Sequence, residues 1–409
     1  MARGDREQHH QESHAKDDST LAMVRFHGRR LTATTRFRDG THRAATLAAT
    51  WRRFAPAAKR AGITRIAELT GLDTLGIPVF AAIRPMGRSL STQQGKGLTR
   101  EAARVSALME SLETWTAEQV RPALRGSYRA LAKRRRVVDV RRLPRPRGRL
   151  DLDARWDWVE GVELVSGEPI LVPAEAVTLD TTFRKPPVFD VSSNGLASGN
   201  VLVEAIVHGL CEVIERDAEA AWRRGGGERR LVLDSLPDRA LVDTIVASGA
   251  RVIVWDLESR VGLCAIGCAI VEDPREPAWR ALGVYQGFGA HADPAIAIAR
   301  ALTEAAQTRV TYIAGGRDDF FPADYARATD RELLAEMWAS LPDGDPVMFD
   351  ELPSYPARSL GDELEQLIAL VRAAGFDEVI AVDLTHPSLR VPVAKVIVPG
   401  LACDVEYLG

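Results

Sequence analysis

Residues 195–217 read GLASGNVLVEAIVHGLCEVIERD. Leu210, Cys211, Val213 and Ile214 are apolar, yet Glu212, Glu215 and Arg216 stand among them. At 100° per residue, positions three apart lie about 60° apart on one helix face, so Glu212 and Glu215 form a carboxylate pair. Glu204, eleven residues before Glu215, falls on nearly the same side by the same step. Like charges this close in apolar company raise each other's pKa and cost stability. A divalent cation removes that penalty, and hard oxygen ligands favour Mg2+ or Ca2+.

The pattern repeats along the chain. Residues 95–114 read GKGLTREAARVSALMESLET and residues 287–309 read GFGAHADPAIAIARALTEAAQTR. Each of the three stretches opens with a glycine-containing loop and runs into a helix. Each then places Leu, one residue, and Glu in a common frame: Leu108 and Glu110, Leu210 and Glu212, Leu302 and Glu304. Three residues later comes Glu113, Glu215 or Gln307. Glu110 and Glu113 therefore make a second carboxylate pair. Glycine-rich loops entering helices suit phosphate, because backbone N–H groups and the helix dipole point at it. Mg2+ ordinarily arrives with nucleotide phosphates, so the three stretches together predict a site for metal and nucleotide.

Elsewhere Thr99 is placed to cap the first of these helices, and Asp293 before Pro294 to cap the third. Helices are predicted from Thr99 to about Val120, Val201 to Trp222, Pro294 to Ala314 and Leu360 to Ala374. Strands are predicted at Val79–Ile83, Trp156–Leu164, Ile170–Pro173, Glu378–Asp383 and Val393–Val398, with a short helix before Val79. Residues 231–270 alternate strand, helix and strand. Helices and strands alternate without strict βαβ regularity, which predicts an α+β fold of mixed sheets and packed helices.

The 409 residues carry 53 Lys+Arg and 56 Asp+Glu, a net charge of −3, which gives no global argument for nucleic acid or membrane. Four cysteines are too few for a disulfide scaffold. No apolar run is long enough to span a membrane and no signal pattern opens the chain, so a cytoplasmic protein is expected. Cys264 and Cys268, in CAIGC, read as buried small hydrophobes. Residues 1–22 read as a disordered tail and 23–409 as one domain, with a possible subdivision near 122–155. There KRRRVVDVRRLPRPRGR carries nine basic residues, a solvated face or a dock for an acidic peptide. His42, His208, His291 and His386 read as structural, with His291 the best placed for a substrate contact.

The runs GKGLTREAARVSALMESLE, SNGLASGNVLVEAIVHGLCEVIERDA and RALTEAAQTR resemble the YcaO superfamily. So do GTHR at 40–43, GITRIAELTGLDTLGIPVF at 62–80 and HPSLRVPVAKVIVPGL at 386–401. The resemblance covers about residues 25–401 and implies a YcaO-like α+β fold with internally repeated helix–sheet units. It implies ATP and Mg2+ as cofactors and activation of a peptide backbone amide oxygen by phosphorylation. A neighbouring Cys, Ser or Thr as nucleophile then gives an azoline, and sulfide a thioamide. Carried over residue by residue, it implies Glu110, Glu113, Glu204, Glu212 and Glu215 at the metal. It implies Arg43, Thr50, Lys96, Asn200, Arg216 and Arg309 at the nucleotide, where a guanidinium fork suits phosphate.

The chain ends LACDVEYLG, without the proline-rich tail frequent in azoline-forming relatives. It looks most like stand-alone members that accompany TfuA. The resemblance thus implies thioamide formation with a TfuA-like partner, a sulfur donor, a peptide or protein substrate and a homodimer, with leader recognition by a separate protein or this chain's own surface. The alternatives are an azoline-forming cyclodehydratase, an accessory factor for ribosomal protein modification, or a non-catalytic docking scaffold.

Overall fold

The computed structural model describes residues 24–31, 37–38, 40–146, 148–182, 185–273 and 283–403. The tail expected at 1–22 lies outside them. The described residues form the α+β arrangement the sequence predicts: three main sheets with helices packed between and against them.

The smallest of the three is an antiparallel meander of Arg65–Glu68, Val79–Ile83 and Thr92–Lys96. The short helix expected before Val79 is a single 3-10 turn at Thr70–Leu72, and ahead of it Arg65–Glu68 forms a strand paired with Val79–Ile83, a ladder that local periodicity does not reveal. The second sheet has five strands in the order Tyr285–His291, Cys264–Val271, Arg251–Leu257, Glu228–Leu231 and Asp345–Val347, of which only the last pair is parallel. The third is antiparallel, in the order Pro169–Pro173, Arg155–Glu163, Ile380–Asp383, Val393–Ile397 and Leu196–Ser198. Leu124–Ser127 pairs with Arg155–Glu163 and so joins the same sheet.

Each main sheet ends in a strand that leads directly into one of the three similar helices. These are the first (Arg100–Ala117), second (Leu202–Arg223) and third (Pro294–Ala314) site helices. Thr99 caps the first by accepting the Ala102 N–H, and Asp293 caps the third by accepting the Ala295 N–H. The second helix has no side-chain cap, and its apolar length carries it through the core instead. There Ile206, Leu210 and Ile214 meet Trp255 and Phe288 from one sheet, Ala394 and Val396 from another, and Leu364 and Leu367 from the helix Leu360–Ala373. Each such leucine, fully buried, contributes about 1.5–3 kcal/mol.

Gly97 and Gly199 lie in the loops that enter the first and second helices, as expected, but other glycines of these stretches do different work. Gly95, Gly287 and Gly289 lie inside strands, not loops. A Cβ on Gly95 would lie 1.9 Å from the Ala107 nitrogen, and one on Gly287 2.2 Å from the Ala305 nitrogen. The glycines let each helix backbone press onto its strand, opposite alanines at Ala103, Ala107, Ala301 and Ala305. They are therefore packing devices rather than phosphate cradles. Among the described residues, no helix is long and apolar enough to cross a membrane.

Candidate functional site

The close strand–helix contact brings the three helices' matching positions together. Glu110 and Glu113 come from the first helix, Glu212 and Glu215 from the second, and Glu304 from the third. Glu113 and Glu215 are buried, Glu212 is half-buried and Glu110 is exposed, so the cluster opens to solvent on the Glu110 side. Three cations pair with it directly, while Arg317 acts on Glu110, and Lys395 on Glu212 and Glu113, at longer range. Lys96 Nζ donates to Glu304 at 2.6 Å. Arg216 reaches Glu304 at 3.2 Å, Glu215 at 3.0 Å and also Glu219. Arg300 lies 3.7 Å from Glu215, which also accepts the Ala290 N–H at 3.0 Å.

The electrostatics are those of a site short of positive charge. Burial and the charges of Glu110 and Glu212 push Glu113 well above the ordinary carboxyl range. Burial raises Glu212 to about 8, with Arg216 opposing and Glu215 and Glu110 reinforcing. Burial also raises Glu215, against Arg216 and Arg300. Glu110 is open to solvent, yet the protein around it is deep enough to desolvate its carboxyl and raise it, and Glu304 adds to the shift. Glu304 behaves oppositely: burial would raise it, but Lys96 and Arg216 hold it down to about 2. Four carboxyls that want a proton beside one that does not form a donor set that a hard dication would complete.

A second nest lies further up the same helix. Glu204, fully buried, accepts the Ala44 N–H at 2.9 Å and the Asn200 amide at 3.1 Å, with Arg43 at 3.7 Å. Thr50 Oγ donates to Asn200 Oδ1 at 2.8 Å, and Arg53 to the Asn200 carbonyl at 2.9 Å. Burial raises Glu204, opposed by Arg43 and the Ala44 N–H. Eight residues separate Glu204 from Glu212, about 12 Å along the axis. The two nests thus present hard oxygens and guanidinium groups over a length that fits an extended polyanion with its metal, rather than a single ion.

The structure therefore brings Glu110, Glu113, Glu212, Glu215, Lys96 and Arg216 into one nest and Arg43, Thr50, Asn200 and Glu204 into another. Arg309 joins neither. It is fully buried, with Nε 2.9 Å from Asp73 and a terminal nitrogen 3.0 Å from Glu272. Five residues beyond Glu304, it sits about 140° away around the third helix. Arg300 and Glu304, one turn apart, face the cluster instead. The sequence signal for Glu304 was present in the Leu-x-Glu frame it shares with Glu110 and Glu212. Arg300 had none, since its role depends on which face the third helix turns inward.

His291 is buried rather than placed for a substrate: it lies beside Glu363 and His42, both also buried. Cys264 and Cys268 line one strand, wholly buried, as expected of small hydrophobes. Much of the basic stretch is paired at the surface, with Arg135 on Glu160, Arg136 on Glu163 and Glu378, and Arg141 on Asp139.

Comparison with known proteins identifies the family. Residues 94–402 match the family described as YcaO cyclodehydratase, ATP- and Mg2+-binding. A Rhizobium leguminosarum bv. trifolii protein, described as uncharacterized and in the tfuA 3' region, is 36% identical over 90% of each chain. An uncharacterized protein of Methanothermobacter thermautotrophicus is 38% identical over 85% of this chain and 92% of its own. The structure of YcaO from Methanopyrus kandleri bound with AMPPCP and Mg2+ superposes with a TM-score of 0.71 at 29% identity, over 90% of this chain and 94% of that one. A heterocyclase in complex with substrate and cofactor shares the fold, at a TM-score of 0.75 and 22% identity over 91% of this chain and 55% of that one. This chain belongs to the YcaO family of ATP- and Mg2+-binding proteins.

Proposed function

We propose that this protein uses ATP and Mg2+ to activate a backbone amide of a peptide or protein, and that with a TfuA-like partner and a sulfur donor it exchanges the amide oxygen for sulfur. The observation that carries the first part is the convergence of Glu110, Glu113, Glu212, Glu215 and Glu304 from three helices, threaded by Lys96, Arg216 and Arg300. The carboxylates would hold Mg2+, and the cations would meet the nucleotide's phosphates. An amide oxygen leaves poorly on its own. Transferring the terminal phosphoryl group of ATP to it gives a good leaving group, so this chain's task is orientation and charge neutralisation. Arg216 and Lys96 are held by acidic partners that a bound cation would compete for, which frees them for phosphate.

The sulfur step is supported by the tfuA-region relative. Burial holds the Cys211, Cys264 and Cys268 thiols far above their ordinary range, and pushes Cys403 up to about 11. On this reading the sulfur comes from a donor outside the chain. Overall, the amide, ATP and hydrosulfide give thioamide, ADP and phosphate. The family's cyclodehydratase description favours a second reading, in which a side chain of the substrate attacks and water is lost.

Co-expression with a TfuA-like protein and a candidate peptide, followed by intact mass, separates the two. A gain of about 16 Da is expected for oxygen-to-sulfur exchange, and a loss of about 18 Da would replace it with ring formation. ATP turnover that neither rises with peptide nor falls in Arg216→Ala would reject both.

A further inference from the structure

His42, His291 and Glu363 come from three distant parts of the chain and are buried together, at 1%, 1% and 0% exposure. His42 Nδ1 lies 2.8 Å from Glu363 Oε2, and His291 Nε2 lies 3.2 Å from Glu363 Oε1. The two rings meet edge to face with centroids 5.0 Å apart. One ligand atom from each residue falls within 4.8 Å of the others, a spacing a metal ion could use. The tautomer argues against that use. His291 Nδ1 accepts the Asp293 N–H at 3.0 Å, so in the neutral ring the proton sits on Nε2, the nitrogen facing Glu363. A nitrogen that carries a proton has no lone pair for a metal. The carboxylate instead hydrogen-bonds the His42 imidazole and holds its other oxygen 3.2 Å from His291 Nε2, close enough to face that ring's N–H.

What these histidines are attached to gives the cluster its meaning. His42 precedes Arg43 and Ala44 by one and two residues. Ala44 N–H donates to Glu204 at 2.9 Å, and Arg43 stands 3.7 Å from the same carboxylate. His291 directly follows Ala290, whose N–H donates to Glu215 at 3.0 Å. His42–Arg43 is a two-residue strand paired with Phe37–Arg38, a segment with little regular structure to fix it. Glu363 belongs to the helix Leu360–Ala373, whose Leu360, Leu364 and Leu367 are packed in the same core as the second site helix.

We propose that Glu363 is a positioning residue. Through His42 and His291 it fixes the two backbone segments whose N–H groups orient Glu204 and Glu215, and so sets both glutamate nests in register. Its functional consequence rests on the reading that those glutamates hold Mg2+ with the nucleotide.

The test uses the full chain and Glu363→Gln, which keeps the side chain's size. Its amide oxygen can accept from one imidazole, but its NH2 opposes the N–H of the other. Two measurements follow. Hydrogen exchange of peptides covering Ala44 and Ala290 is expected to lose protection about tenfold or more in at least one of them, while the first site helix keeps its own. Titration with Mg2+ in the presence of a non-hydrolysable ATP analogue is expected to need about 10–100-fold more Mg2+ for half-saturation. Unchanged exchange together with an unchanged Mg2+ requirement would overturn the proposal. So would a transition metal retained at one per chain in the parent protein and lost in E363Q. If the parent itself takes up no nucleotide with Mg2+, the functional reading fails while the exchange measurement still decides whether Glu363 positions the two segments. Should E363Q not fold, Glu363→Asp, which keeps the charge but shortens its reach, is read by the same two measurements.

Discussion

Two buried charged groups in this molecule differ in one respect. Arg84 and Glu118 are each 2% exposed, and their side chains meet in two parallel hydrogen bonds of 2.6 Å. Glu118 Oε1 also accepts from the Arg88 and Ser89 backbone N–H groups and the Ser89 hydroxyl. There the two charges cancel, and both Glu118 oxygens accept hydrogen bonds. In the glutamate cluster Glu110, Glu113, Glu212, Glu215 and Glu304 share Lys96, Arg216 and Arg300, and several carboxyls are left with raised pKa values. Burial alone therefore does not mark a functional charge. A buried group whose neighbours satisfy it holds the fold together, whereas carboxylates held against one another make a site that a cation completes.

The comparison breaks first at the balanced pair. Arg84→Met leaves Glu118 buried without its countercharge and is expected to cost about 3–5 kcal/mol in denaturant unfolding. A loss well under 1 kcal/mol would mean the pair is no more structural than a surface bridge. In the cluster the same kind of change runs the other way. Glu212→Gln removes one of several repelling carboxyls, so the thermal midpoint of the ligand-free protein is expected to hold or rise. ATP turnover is expected to fall by about 100-fold or more. A destabilised variant with full turnover would reverse the two assignments.

The third and smaller effect is the pH dependence of the cluster. Glu212 is raised to about 8 in the folded chain from an ordinary 4.5, so the fold holds a proton that the unfolded chain releases. Its contribution to ligand-free stability is full below about 4.5 and is lost as pH climbs through 8. Thermal melts between pH 5 and 8.5 should show that decline, and saturating Mg2+ with a nucleotide analogue should flatten it. The smallest change is steric. Gly95→Ala places a Cβ against the Ala107 backbone nitrogen and should cost about 1–3 kcal/mol, measured by chemical denaturation, without touching a charge.

That last substitution shows where the sequence was transparent and where it was not. Helix ends came through well, because Thr99 and Asp293 are local caps and the third helix spans Pro294–Ala314 as the pattern required. The paired carboxylates came through because 3.6-residue periodicity fixes which positions share a face. The glycines misled, since a glycine that admits a helix against a strand and one that admits a phosphate against a loop are spelled alike. Only the long-range contact of Gly95 with Ala107, and of Gly287 with Ala305, tells them apart. The resemblance implies Arg309 at the nucleotide, but in the structure it pairs with Asp73 and Glu272, and both lie far off in the chain. Arg300, facing Glu215, could not be chosen over it without knowing the third helix's rotation. The same holds for Glu363, whose two histidine partners lie 321 and 72 residues away.

The most direct test of the central claim is calorimetric titration of the protein at pH 7 with a non-hydrolysable ATP analogue. It is run with Mg2+ and with EDTA, in two buffers of different ionisation enthalpy. If the carboxyls of Glu113, Glu212 and Glu215 give up protons to hold the metal, uptake will require Mg2+ and will release protons into the buffer. Equal affinity in EDTA, or Mg2+-dependent uptake with no proton released, would contradict the account.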